Sequence, residues 1–258
     1  MTLRRWLVVG LVGAGCLAWS PGVALAQSGW AVDFGGERSA VTDHDVESIW
    51  STVRFQLGYV NEQKGGLFGG VERQERYDLV DVSVYALGYR RLGDWTIAGG
   101  VGGTPDADFL YRVSANVELS RRVVGSLVVS AGYRYMDFPG AIVHQIQPAV
   151  TWYHGRSEVG GRLFVTRNTT ADRTSFAGLA TALVEVHPRV RLYGAFAVGD
   201  RIFDVTSFVS GAANSWVARG TVRIRITAGN YLEFGGGVAH EDPSFDQTTL
   251  IAGYRRSF

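Results

Sequence analysis

Apolar and polar residues alternate along this chain in segments of about ten, separated by turn residues, the pattern of strands that face lipid on one side and a lumen on the other. From Tyr111 to Leu119, one parity carries Tyr111, Val113, Ala115, Val117 and Leu119, and the other carries Arg112, Ser114, Asn116 and Glu118. From Ser126 to Tyr135, the set Leu127, Val129, Ala131, Tyr133 and Tyr135 opposes Ser126, Ser130, Gly132 and Arg134, with Val128 as the exception. From Trp216 to Ile226, Arg219, Thr221, Arg223 and Arg225 oppose Ala218, Val222, Ile224 and Ile226. An arginine pointing into lipid at mid-membrane costs roughly 2–4 kcal/mol, so these arginines are expected to face inward. A soluble antiparallel sandwich is the competing source of such alternation.

Turn residues punctuate the chain into predicted strands at 29–38, 48–59, 67–76, 80–90, 95–103, 109–120, 123–135, 142–153, 158–168, 174–186, 190–199, 215–227, 230–240 and 247–258. The expected fold is therefore all-β: a transmembrane, antiparallel, up-and-down β-barrel of about 14 strands, with 12 or 16 as the neighbouring even counts. The connections fall into two alternating classes. Short ones lie at Leu92–Asp94, Arg121–Arg122, Gly155–Arg156, Pro188–Arg189 and Ala228–Gly229, and longer polar ones at Thr104–Asp108, Asp137–Ala141, Asn168–Arg173, Asp200–Asn214 and Glu241–Asp246. Short periplasmic turns and longer outer loops are the arrangement of a bacterial outer-membrane barrel. Asn61–Gly66 is longer than the others on its side, and Tyr77 and Asp78 must supply a very tight outer turn.

The N-terminus adds an address. Arg4 and Arg5 precede an apolar stretch from Trp6 to Leu17, then Pro21, Gly22 and the triplet Ala24, Leu25, Ala26. That is the three-part layout of a secretory leader, with cleavage expected between Ala26 and Gln27, which predicts a signal peptide at 1–26 and a barrel at 27–258. Cys16, the one cysteine, lies within the leader, so no disulfide or thiol chemistry is expected in the barrel. With 25 basic and 24 acidic residues the chain carries no global field to draw it to nucleic acid. At the other end, Leu250, Ala252, Tyr254 and Phe258 share one parity. A terminal aromatic on a lipid-facing strand resembles the signal read by the barrel assembly machinery, so Tyr254 and Phe258 are the candidate assembly residues. Outer-membrane lipid and lipopolysaccharide are the other expected partners.

Two stretches carry a family likeness: Thr104-Pro105-Asp106-Ala107-Asp108-Phe109-Leu110, and Gly132-Tyr133-Arg134-Tyr135-Met136-Asp137-Phe138 followed by Val143-His144. With Glu75-Arg76-Tyr77 upstream and Pro148, Trp152 and Tyr153 downstream, they resemble the YaiO family of outer-membrane barrels, most specifically over residues 72–168. The resemblance implies the fold and the Gram-negative outer membrane, and by analogy a link to export or display of surface polysaccharide. It supplies no catalytic residues, metal or cofactor.

Candidate chemistry lies at the rim and in the lumen. Asp106 and Asp108 in one outer loop, with Arg134 and Asp137 on the neighbouring strand end, are expected to form a rim constellation held by charge-assisted hydrogen bonds. It reads either as a site for a cation or a sugar or as a clamp on the loops. The lumen is expected to be lined by Arg112, Glu118, Arg219, Arg223, Arg225 and Glu233, an arginine excess that suits an anionic or saccharide solute if the lumen is open. Opposite charges and tyrosines could instead lock it into a plug, and 14 strands lie between the filled and the open sizes. Not an enzyme is the leading reading. The alternative is a hydrolase with a carboxylate–histidine site at the rim, drawn from Asp43, His44, Asp45, Asp106 and Asp108. His144, His154, His187 and His240 show neither metal-ligand spacing nor a neighbouring serine suited to acyl hydrolysis. Trp30, Trp50, Tyr59, Tyr89, Trp95, Tyr133, Tyr135, Trp152, Tyr153 and Tyr231 are expected in the interfacial girdles.

Overall fold

A computed structural model describes residues 28–44, 46–61, 63–200 and 214–258. The expected leader lies outside these residues, as does Asp45. Fourteen strands follow one another: β1 (Gly29–Asp43), β2 (Val46–Asn61), β3 (Gly65–Arg76), β4 (Leu79–Leu92), β5 (Trp95–Gly103), β6 (Val113–Val124), β7 (Leu127–Phe138), β8 (Ala141–His154), β9 (Ser157–Asn168), β10 (Arg173–His187), β11 (Val190–Asp200), β12 (Asn214–Thr227), β13 (Asn230–Glu241) and β14 (Phe245–Ser257). Each pairs antiparallel with its neighbours in sequence, and β1 pairs with β14 from Ala31↔Ser257 to Asp43↔Phe245, which closes the barrel. Closure leaves no edge whose backbone groups lack partners, the condition for strands to cross a bilayer. Among the described residues no helix is long and apolar enough to cross one.

The turn chemistry fixes the two ends. Gly125 and Gly155 hold the left-handed φ values (52° and 60°) that two-residue hairpins need, and they sit in short connections of the periplasmic end, the first of which falls after Val124 rather than at Arg121–Arg122 as expected, because both arginines continue β6. The tight outer turn between β3 and β4 meets the same demand without glycine, with Tyr77 at φ 48° and Asp78 at φ 65°. On the outside, Phe34, Ile97, Val117, Leu163, Phe196 and Leu250 present apolar side chains to the surroundings, Leu250 with 70% of its surface exposed. A sandwich core would bury this parity. Here the interior takes the polar one, with Gln56, Gln74, Ser83, Arg134 and Thr249 buried.

Two expectations are corrected. The sixth strand begins at Val113 rather than at 109, because Phe109, Leu110 and Tyr111 leave the wall and pack inside the outer mouth against Met136, Phe138, Ala141 and Val143. Tyr111 thus shares the parity of Val113 without sharing its lipid-facing side. Trp50 also leaves the girdle: it is buried at the inner side of β2 with Val41, Leu179, Ala197, Val217, Ala239 and Phe245. Tyr89, Tyr153 and Tyr231 fall on the inward parity as well, with Arg91, Thr151 and Glu233 respectively. Trp30, Tyr59, Trp95, Tyr133 and Trp152 do face outward. Arg121 stacks on Trp95 at 5.0 Å, and Trp30 meets Tyr59 edge-on at 5.4 Å, both near the periplasmic rim.

Candidate functional site

The loop between β5 and β6 is folded into the outer mouth by one carboxylate. Asp81, near the outer end of β4 and 2% exposed, accepts hydrogen bonds from the backbone N–H groups of Asp108 (2.9 Å), Phe109 (3.0 Å) and Leu110 (2.7 Å). An ionised carboxylate is acceptor-only, so three converging donors suit it, and the Arg76 guanidinium adds an opposite charge that acts on it electrostatically. Below this latch, Phe109, Leu110 and Tyr111 pack with Met136, Phe138, Ala141 and Val143. The second apolar cluster, around Trp50, lines the mouth on the other side. Arg76 joins the two, its guanidinium 4.9 Å from the Trp50 ring and 5.0 Å from the Phe109 ring, while donating to Gln74 Oε1 at 2.6 Å. Tyr77, in the adjoining turn, meets Trp50 edge-on at 5.4 Å and donates its hydroxyl to Asp43 Oδ2 at 3.1 Å. Burial, and then the Asp43 carboxylate, push that hydroxyl above the ordinary phenol range, so it stays a donor.

The rim residues expected to act together are divided between other partners. Arg134 faces inward and bonds Ser114 Oγ at 3.4 Å, whereas Asp137, on the opposite parity, accepts from Arg112 at 3.0 Å. Asp106 and Asp108 are exposed, Asp106 at a left-handed φ of 51°, and the Asp108 backbone N–H, rather than its carboxylate, makes the tie to Asp81. Arg112 is a correction: it precedes β6, is half exposed, and clamps the rim through Asp137 and the Phe138 carbonyl (3.0 Å) instead of lining the lumen. Asp81 carries no distinguishing mark in the sequence, because an acid alternating with Val80 and Val82 looks like any other inward charge.

Deeper in the lumen the charges pair across the barrel. Glu118 on β6 accepts from Arg162 on β9 at 2.6 Å, and Gln147 accepts from the same Arg162 nitrogen at 2.8 Å. Glu37 on β1 pairs with Arg219 on β12, again three strands away around the wall. Arg223 donates its Nε to Glu233 on the adjacent β13 at 2.8 Å. Glu185 is held by Arg156 and Arg191, each at 3.1 Å, and so does not reach the β12 arginines. Arg225 has no side-chain partner among the described residues.

The histidines are engaged locally. His44 meets Asp43 at 2.7 Å in an exposed turn, His144 meets the Tyr133 hydroxyl at 2.6 Å on the outer surface, and His240 meets Asp246 at 2.8 Å. Among the described residues, no group of three or more His, Cys, Asp and Glu side chains is placed to hold a metal ion. At the C-terminus, the Phe258 N–H donates to the Trp30 carbonyl at 2.8 Å, its ring faces outward beneath Arg256 (4.6 Å), and Tyr254 donates to Asn230 at 2.7 Å.

Comparison with known proteins agrees with this architecture. The model of the YaiO membrane beta barrel domain matches residues 40–185. No curated protein matches the chain by sequence. Among solved structures, the translocator domain of the autotransporter NalP from Neisseria meningitidis superposes with a TM-score of 0.54 at 13% identity, covering 95% of this chain and 94% of that one. Omp33 of Acinetobacter baumannii gives 0.53 at 15% identity, covering 89% and 99%. At these identities the likeness is one of fold.

Proposed function

Given that the chain belongs to the YaiO family and is a 14-stranded barrel of the bacterial outer membrane, we propose that it is a narrow, arginine-lined channel that rests with its outer mouth closed. The observation that carries this is the Asp81 latch, which holds an apolar loop inside the mouth. Apolar constrictions bar ions by excluding water, and they open when the obstructing segment moves. Glu37 and Glu233 neutralise Arg219 and Arg223, while Arg225 keeps its charge at the periplasmic end, so the residual bias favours anions. A carboxylate- or phosphate-bearing saccharide fits such a lining, in keeping with the family's analogy to polysaccharide export. In this reading residues 1–26 are removed on export. The assembly machinery reads Tyr254 and Phe258, and lipopolysaccharide surrounds the outer half. The rim-hydrolase alternative is less well supported: among the described residues His44 pairs with Asp43 alone, and Asp106 and Asp108 are not joined to it by any hydrogen bond or ion pair.

The test is conductance in a planar bilayer. Wild-type barrels should stay mostly closed. Asp81→Asn, which swaps an acceptor-only group for one bearing an N–H₂ donor, should raise the open probability, with openings that prefer anions. Large steady wild-type currents, cation preference, or silence in both proteins would overturn the proposal.

A further inference from the structure

The strand register gathers three donors that make no side-chain hydrogen bond among the described residues at the periplasmic end of the lumen. Arg225 on β12 stands opposite Tyr231 on β13, and Tyr231 stands opposite Arg255 on β14. All three fall on the inward parity. Neighbouring strands are about 4.8 Å apart, so the two arginines flank the tyrosine at about 10 Å between backbones, within reach of one small ion held between them. No side-chain hydrogen bond or ion pair joins any of the three to another described residue. The Arg255 Nε is buried and has no acceptor. An unpartnered guanidinium N–H costs free energy, which a shift of the side chain toward an acceptor entering the lumen would recover.

The neighbouring charges are largely committed elsewhere. Glu233, one inward step from Tyr231, is taken by Arg223, and Glu185 is taken by Arg156 and Arg191. Asp33 continues the row on β1 opposite Arg255 and, like Glu233, acts on it electrostatically, although neither makes an ion pair or a side-chain hydrogen bond with it among the described residues. One inward step from Arg255, Gly253 and its partner Gly35 put no side chain of their own into the lumen, and the Arg54 guanidinium and the Glu233 side chain border the space above them.

We propose that Arg225, Tyr231 and Arg255 form an oxyanion-binding site that takes the carboxylate or phosphate group of a solute arriving from the periplasm. Two guanidiniums present forked N–H donors to the oxygens, and the phenol supplies a third from between them. The site deepens the channel reading by naming where its anion is first held, and rests on it for the solute's access. Site and channel can nevertheless be tested apart.

The full barrel in zwitterionic detergent is heated at constant ionic strength, with chloride replaced stepwise by inorganic phosphate or by glucuronate, and the folded fraction is read by gel mobility. A ligand that binds the folded state raises the midpoint with concentration, so the half-saturating concentration can be extracted. Wild type should be stabilised by at least one of the two, which also tells a phosphate group from a carboxylated sugar. Arg225→Gln and Arg255→Gln should each weaken the effect roughly tenfold, and Tyr231→Phe by roughly threefold. Arg189→Gln, in the nearby β10–β11 turn, should leave it unchanged. Arg255→Lys should fold and bind more weakly than wild type, because it keeps the charge and loses the fork. Equal stabilisation of wild type and the glutamine variants, or none beyond that of chloride, would overturn the site. Retained binding with a silent bilayer would overturn the channel alone, and conduction without the phosphate or glucuronate effect would overturn the site alone.

Discussion

Removing Arg219 leaves Glu37 as a half-buried carboxylate facing a lumen from which its counter-charge has gone. Such losses cost about 1–3 kcal/mol, more than the pair itself is worth, because desolvation is no longer offset. Arg219→Ala is therefore expected to lower the unfolding midpoint of the barrel, and Arg219→Ala combined with Glu37→Ala to recover part of the drop. A double variant no better than the single one would show that the strut contributes through packing rather than charge. Residue-scale chemistry was only half legible in the sequence. Alternation puts Glu37 and Arg219 on the inward face, but 182 positions and two intervening strands separate them, and nothing along the chain says which inward acid meets which arginine. Asp81 escaped notice for the same reason: its partners are backbone N–H groups of a loop, and they leave no mark in the pattern of side chains.

At the scale of elements, the β5–β6 loop behaves as a small core of its own. Leu110 is fully buried in it, while Leu250 on β14 faces lipid. Leu110→Ala should cost about 2–5 kcal/mol, as truncations in packed interiors do, and Leu250→Ala much less, since lipid fills the space left behind. Comparable losses measured by thermal unfolding in detergent would mean that the loop is not packed in the mouth. The strands themselves were legible because period-two alternation survives wherever one face meets lipid. It misled at 109–112, where Phe109, Leu110 and Tyr111 are apolar because they meet one another. Side-chain chemistry alone does not separate that environment from a bilayer. The β3–β4 turn was legible as tight but not as strained. Asp78→Gly removes a left-handed aspartate and is expected to raise stability by about 0.5–1 kcal/mol.

For the whole molecule, an even count of antiparallel strands closed through β1 and β14 is a condition of the membrane more than of any residue, which is why the fold could be read without a partner list. The closed cylinder should resist detergent and change gel mobility on heating, and the mature chain should begin at Gln27 in outer-membrane fractions. Deleting Phe258 is expected to reduce the folded, membrane-inserted fraction several-fold without changing the amount exported. Undiminished insertion would remove the C-terminal aromatic from the assembly signal.

In the channel proposed above, the apolar filling of the outer mouth also shapes the electric field. Where water is squeezed out, resistance is greatest, so a voltage applied across the membrane falls mainly over that short outer segment instead of along the whole lumen. Arg76, lodged there between Trp50 and Phe109, is a charge sitting in the steepest part of the drop. A full elementary charge crossing the membrane couples to about 2.3 kcal/mol per 100 mV, and even a fraction of that is comparable to the hydrogen bonds that hold the loop. Opening should therefore depend on voltage and its sign, and Arg76→Gln should flatten the dependence. Channels oriented by one-sided addition would reveal which polarity pushes the guanidinium outward and lifts the loop with it.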